Sequence, residues 1–154
     1  MVDRPLVLAG TSTPLQVGST LALANGWRVE IRVVERGEMV QAPGDYLAAF
    51  DLDALPSDAE FVLRTRAPGD TIQPLGLDGR KKLQDVLVDA KIPREMRDRL
   101  PIVALSGSRA DVLWLPGPGG RRSAIALLTE RTRRSLCIEF RPASEASQEG
   151  ESSA

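Results

Sequence analysis

Hydrophobic and polar positions alternate most cleanly at Trp27, Val29, Ile31 and Val33, which are separated by Arg28, Glu30 and Arg32. A period of two marks a strand with one face in a core and the other in water. Asn25-Gly26 just before it is a turn pair, and Thr20-Leu21-Ala22-Leu23 is placed to be its hairpin partner. Residues 35–45, with Gly37, Pro43 and Gly44, read as a loop. Residues 46–50 and 61–66 read as two more short strands, and Pro56-Ser57-Asp58 breaks the chain between them. After Pro68-Gly69-Asp70 and Pro74-Leu75-Gly76 the period changes. Leu83, Val86, Leu87 and Ala90 fall at i, i+3, i+4 and i+7, one apolar face of an amphipathic helix. That helix is expected to start near Arg80, with Asp78 as its cap and Pro93 as its stop.

A short helical turn over 94–99 is expected next, then strands at 102–105 and 112–115 around Ser106-Gly107-Ser108. Pro116-Gly117-Pro118-Gly119-Gly120 reads as a loop, and Leu136, Ile138 and Phe140 alternate in a last strand. Residues 142–154 have no apolar pattern and are expected to be a disordered tail. Many short strands with one good helix predict an α+β fold, predominantly β. Its expected form is a compact sandwich of short strands with one main amphipathic helix, in a single domain over residues 1–141.

Composition narrows the chemistry. With 42% hydrophobic and 27% charged residues, the 154-residue chain has the make-up of a globular protein. No apolar run approaches the roughly 20 residues needed to cross a bilayer. The first five residues, Met1-Val2-Asp3-Arg4-Pro5, do not open a secretory signal. The single cysteine, Cys137, has no internal partner for a disulfide, so a reducing cytoplasm is the expected location. There is no histidine, which removes Ser-His-Asp and Cys-His catalysis and nearly every zinc site.

Net charge is −1, but it is unevenly spread. Residues 1–60 carry four Arg and Lys against nine Asp and Glu, a balance of −5. Residues 61–141 carry sixteen against nine, a balance of +7, and residues 142–154 carry none against three, a balance of −3. A basic stretch of this kind suits an anionic partner such as a nucleic acid.

Other candidate features read blandly. The Gly117–Gly120 segment lacks the Gly-Lys-Ser/Thr ending of a phosphate loop, and its prolines remove N–H donors. Residues 106–111 read as a hairpin turn. Asp85 and Asp89 on the helix, and Asp51 and Asp53, read as solvated carboxylates, with Lys81 able to reach Asp85. Cys137 has no base to activate it. The basic cluster is more informative. Arg80, Lys81 and Lys82 in the first helical turn would face an opposing helix dipole, an arrangement that suits a bound anion. Arg64 and Arg66, expected on one strand face, with Arg94, Arg97 and Arg99 beyond the helix, extend the candidate surface.

The motif-bearing core at 61–117 resembles a known family. Leu63-Arg64-Thr65-Arg66-Ala67-Pro68-Gly69-Asp70, Pro74-Leu75-Gly76 and Gly79-Arg80-Lys81-Lys82-Leu83-Gln84-Asp85 come first. Asp89-Ala90-Lys91-Ile92-Pro93, Arg97-Asp98, Leu100-Pro101 and Trp114-Leu115-Pro116-Gly117 follow in order. Together they are similar to the C-terminal domain of bacterial tRNA(Ile)-lysidine synthetases. Thr71-Ile72 and Pro118-Gly119-Gly120 depart from the family pattern.

The resemblance implies a fold similar to an RNA-associated module in the β subunit of phenylalanyl-tRNA synthetase. It also implies a tRNA(Ile)-binding role beside an N-terminal catalytic domain. The family's enzyme uses ATP to attach lysine to the wobble cytidine of tRNA(Ile), forming lysidine. The Ser-Gly-Gly-x-Asp-Ser loop of its ATP pyrophosphatase domain does not occur in this sequence. ATP and Mg are therefore expected to bind elsewhere in the parent protein, this chain is expected to hold no cofactor or metal, and alone it is expected to be inactive. The tRNA-contacting residues expected here are Arg64, Arg66, Arg80, Lys81, Lys82, Lys91, Arg94 and Arg97. The alternative is a docking domain of the same fold that does not touch RNA.

Overall fold

The alternating segments pair into two antiparallel sheets in the computed structural model, which describes residues 4–38, 43–74, 79–106 and 112–142. One sheet has five strands in the order β1 (Ser12–Leu15), β5 (Phe61–Arg64), β8 (Ile102–Leu105), β9 (Val112–Leu115) and β10 (Arg121–Arg122). The other has four, in the order β2 (Ser19–Ala22), β3 (Arg28–Glu35), β11 (Arg134–Arg141) and β4 (Leu47–Asp51). A separate ribbon pairs β6 (Thr71–Ile72) with β7 (Lys81–Lys82). Helix α1 spans Leu83–Asp89 and α2 spans Arg94–Arg97.

Two hydrophobic cores share the five-stranded sheet. Between the sheets lie Val29, Ile31, Phe50, Phe61, Leu63, Val103, Leu113, Leu136 and Ile138. Trp114 and Phe140 meet edge to face there, with ring centroids 5.4 Å apart. Across the five-stranded sheet, Leu83, Val86 and Leu87 of α1 pack with Ile72, Ile92, Leu100, Ile102, Val112 and Leu115. Because Ile102 faces the helix and Val103 faces the other sheet, β8 is buried at all four positions. The same holds for β9. A strand covered on both sides reads as a continuous apolar run, as these two do.

The expected strands and the apolar helix face are present, with three corrections. β5 ends at Arg64, so Arg66 lies beyond it and the two arginines do not share a strand face. Lys81 and Lys82 are extended, not helical: they pair with Ile72 and Thr71, and the Leu83 N–H donates to the Asp70 carbonyl at 2.9 Å. The three cations Arg80, Lys81 and Lys82 therefore do not occupy the first helical turn, and the dipole argument for them falls away. Lys81 pairs with Asp89, not Asp85, because the strand places it beside the far end of α1. The proposed cap Asp78, residues 107–111 of the hairpin turn and the tail from 143 lie outside the described residues.

Helix α1 stops at Asp89, before Pro93, through backbone chemistry. The Lys91 N–H donates to the Val88 carbonyl and the Ile92 N–H to the Leu87 carbonyl, closing the last turn. This requires Lys91 at φ 57, a left-handed conformation that strains any side chain bearing a Cβ. Lys91→Gly is expected to raise stability by about 0.5 kcal/mol, the relief of strain outweighing the lost cation at the helix end. A urea titration that shows a lower midpoint for the variant would contradict this.

Candidate nucleic-acid interface

The segment after β5 folds back on itself around one carboxylate. Asp70 accepts from Arg64 Nη1 at 2.9 Å, from Arg64 Nη2 at 3.1 Å and from the Ala67 N–H at 2.7 Å. Gly69 makes the turn possible at φ +84. Both members of the ion pair are nearly enclosed, with Arg64 14% and Asp70 13% exposed. The Arg64–Asp70 fork thus fixes residues 65–70 as one wall of a groove. Lys82, Leu83, Gln84, Arg94, Arg97 and Asp98 complete its lining. The groove has a volume of about 750 Å³.

Four of the expected RNA-contacting residues meet here: Arg66, Lys82, Arg94 and Arg97. They come from three separate stretches of chain. Arg66 Nε donates to Asp98 Oδ1 at 2.8 Å, and Arg97 Nε donates to the Ile92 carbonyl at 3.0 Å. Among the described residues, no carboxylate pairs with Lys82, Arg94 or Arg97.

The other expected residues are placed differently. Arg64 lies behind the wall and is committed to Asp70. Arg80 donates to the Thr71 hydroxyl at 3.2 Å, on the ribbon beside the groove. Lys81 is engaged by Asp89, and Lys91 sits exposed at the far end of α1. Sequence reasoning did not assign a role to Asp70 or Asp98, although both stand inside the quoted motifs.

A family described as "TilS substrate C-terminal domain" matches residues 61–131, which contain the whole groove. The tRNA(Ile)-lysidine synthase of Symbiobacterium thermophilum is 37% identical over 123 residues, covering 74% of this chain and 24% of that protein. That of Dehalococcoides mccartyi is 36% identical, covering 82% and 26%. A solved structure, the crystal structure of a TILS C-terminal domain, matches with a TM-score of 0.70 and 31% identity, covering 86% of this chain and 97% of that one. The chain belongs to the tRNA(Ile)-lysidine synthase C-terminal domain family. It spans about a quarter of the length of the two synthases named.

Within this lysidine synthase C-terminal domain the remaining candidates are structural. In the Gly117–Gly120 loop, the Gly117 N–H donates to the Asp45 carbonyl and the Gly120 N–H to the Gly117 carbonyl. A Cβ at Gly119 would lie 2.7 Å from Ala90 Cβ, and one at Gly120 would lie 2.0 Å from the Leu115 carbonyl oxygen. Gly119 and Gly120 serve close packing against the end of α1 and β9.

Asp51 caps a short 3₁₀ turn by accepting from the Asp53 N–H, and also accepts from the Thr132 hydroxyl. A hydrogen bond from Arg134 holds the Asp53 carboxyl below its usual range. Cys137 is buried in β11, and that burial pushes its thiol up, away from a reactive thiolate. No described helix is long and apolar enough to cross a membrane.

Proposed function

We propose that the groove binds the sugar–phosphate backbone of tRNA, and that residues 1–141 form the unit that holds tRNA(Ile) for a lysidine synthase. In this reading the parent protein is a cytoplasmic ligase whose catalytic part uses ATP to attach lysine to the wobble cytidine. ATP and Mg bind in that part, and the Gly117–Gly120 loop of this chain turns the Gly117 and Gly120 N–H groups onto backbone carbonyls. The chain alone forms no lysidine.

One observation carries the reading. Lys82 is brought into one groove with Arg94 and Arg97 of α2, and among the described residues no carboxylate pairs with any of the three. Such groups suit phosphates, which supply affinity without choosing sequence. Among the described residues, the groove lining contains no aromatic ring on which an unstacked base could lie.

A fluorescence titration of tRNA(Ile) transcript at several salt concentrations tests this. If about four phosphates are neutralised, log K falls against log salt with a slope of roughly −3 to −4. Lys82→Ala with Arg94→Ala should reduce that slope by about 1.5–2 units and leave the melting temperature unchanged, since both side chains are exposed. An unchanged slope would remove the groove from the RNA surface. A wild-type domain that ignores tRNA at low salt would instead favour docking onto the rest of the synthase.

A further inference from the structure

The two Arg–Asp pairs beside the groove differ in kind, although their arginines are only two positions apart. Arg64 and Asp70 are enclosed and joined by a fork. Arg66 and Asp98 sit at the rim, joined through Nε alone, and their side chains are 26% and 65% exposed. Among the described residues the Asp98 carboxylate holds nothing but Arg66. An exposed pair of this sort contributes little to folding. A phosphate, which can accept two parallel N–H bonds from a guanidinium, is the stronger partner for Arg66.

We infer that Asp98 is a specificity-determining residue of the groove: its carboxylate occupies Arg66 until a phosphate replaces it there. This rests on the RNA-binding reading above. The exchange gives up one ion pair for another, so a phosphate that reaches Arg66 alone gains little. A backbone that also engages Lys82, Arg94 and Arg97 gains those contacts and outcompetes Asp98. Once displaced, the carboxylate stays at the rim and repels any phosphate seated out of place. Asp98 thereby lowers affinity for all RNA and lowers it most for RNA that fits the groove badly.

A double-mutant cycle tests this directly. The probes are the tRNA(Ile) transcript and an unrelated RNA duplex of equal length, titrated against wild type, Asp98→Asn, Arg66→Gln and the double variant. Melting temperatures are recorded alongside to confirm folding. Asp98→Asn should tighten binding by about two- to fivefold, more for the duplex than for the tRNA, so that discrimination shrinks. In the Arg66→Gln background the same change should alter binding less than about twofold.

Unchanged or weaker binding by Asp98→Asn would overturn the inference. So would an equal gain in the Arg66→Gln background, because Asp98 would then act only as a distant charge. Failure of the underlying reading looks different: binding of the wild type would be absent, or indifferent to Lys82→Ala and Arg94→Ala.

Discussion

Leu87→Asp is expected to abolish the cooperative melting transition of the domain. Leu87 is 1% exposed, and its carbonyl takes the Ile92 N–H that ends the helix. An aspartate there would be surrounded by Leu83, Ile92, Leu100 and Ile102, none of which can pair a carboxylate. Burying an unpaired charge costs several kcal/mol, and losing the leucine's packing adds about 2–5 kcal/mol as judged by Leu→Ala changes. Total stability of a domain this size is about 5–15 kcal/mol, so the sum is enough to unfold it. Leu87→Ala should keep the transition but lower its midpoint clearly. Circular dichroism melts of both variants give the answer, and an aspartate variant melting like wild type would show that α1 packs through another face.

Asp70→Ala is expected to lower stability by about 2–3 kcal/mol and to weaken tRNA binding at the same time. The substitution deletes three accepted hydrogen bonds and leaves the enclosed Arg64 guanidinium without its counter-ion. The loop carrying Arg66 then loses its clamp. The sign of the binding change is the informative part. Removing a negative charge beside the groove proposed to bind RNA should strengthen binding on electrostatic grounds alone. A weaker complex therefore means that Asp70 acts by positioning the wall, and a tighter complex with unchanged urea stability would refute the clamp.

Much of this architecture is legible in the chain because burial writes itself into local periodicity. The core-facing Val29 and Ile31 in β3, the alternating Leu136, Ile138 and Phe140 in β11, and the Leu83-Val86-Leu87 stripe all follow that rule. The start of α1 is not legible. Lys81 and Lys82 are good helix formers, and only pairing with Thr71 and Ile72 makes them extended. Two-residue strands such as β6, β7 and β10 are too short to show any period. The cluster of cations was visible in the sequence, but its division of labour was not. Asp70 takes Arg64 from six positions away, while Asp98 takes Arg66 from 32 positions away and Asp89 takes Lys81 from eight. Which carboxylate claims which cation is decided by the fold.

The place of β11 in its sheet bears on how the protein is made. It lies between β3 and β4, and its Leu136 pairs at once with Val33 and Phe50. While a ribosome is still translating the residues before Arg134, β3 and β4 have no common neighbour, and the core between the sheets lacks Leu136, Ile138 and Phe140. Strand pairing across about a hundred residues must then wait for the final strand to clear the exit tunnel. The groove rests on α1, and α1 on the face of β8 opposite that core. A nascent chain therefore closes its four-stranded sheet only after every basic residue that lines the groove has already emerged.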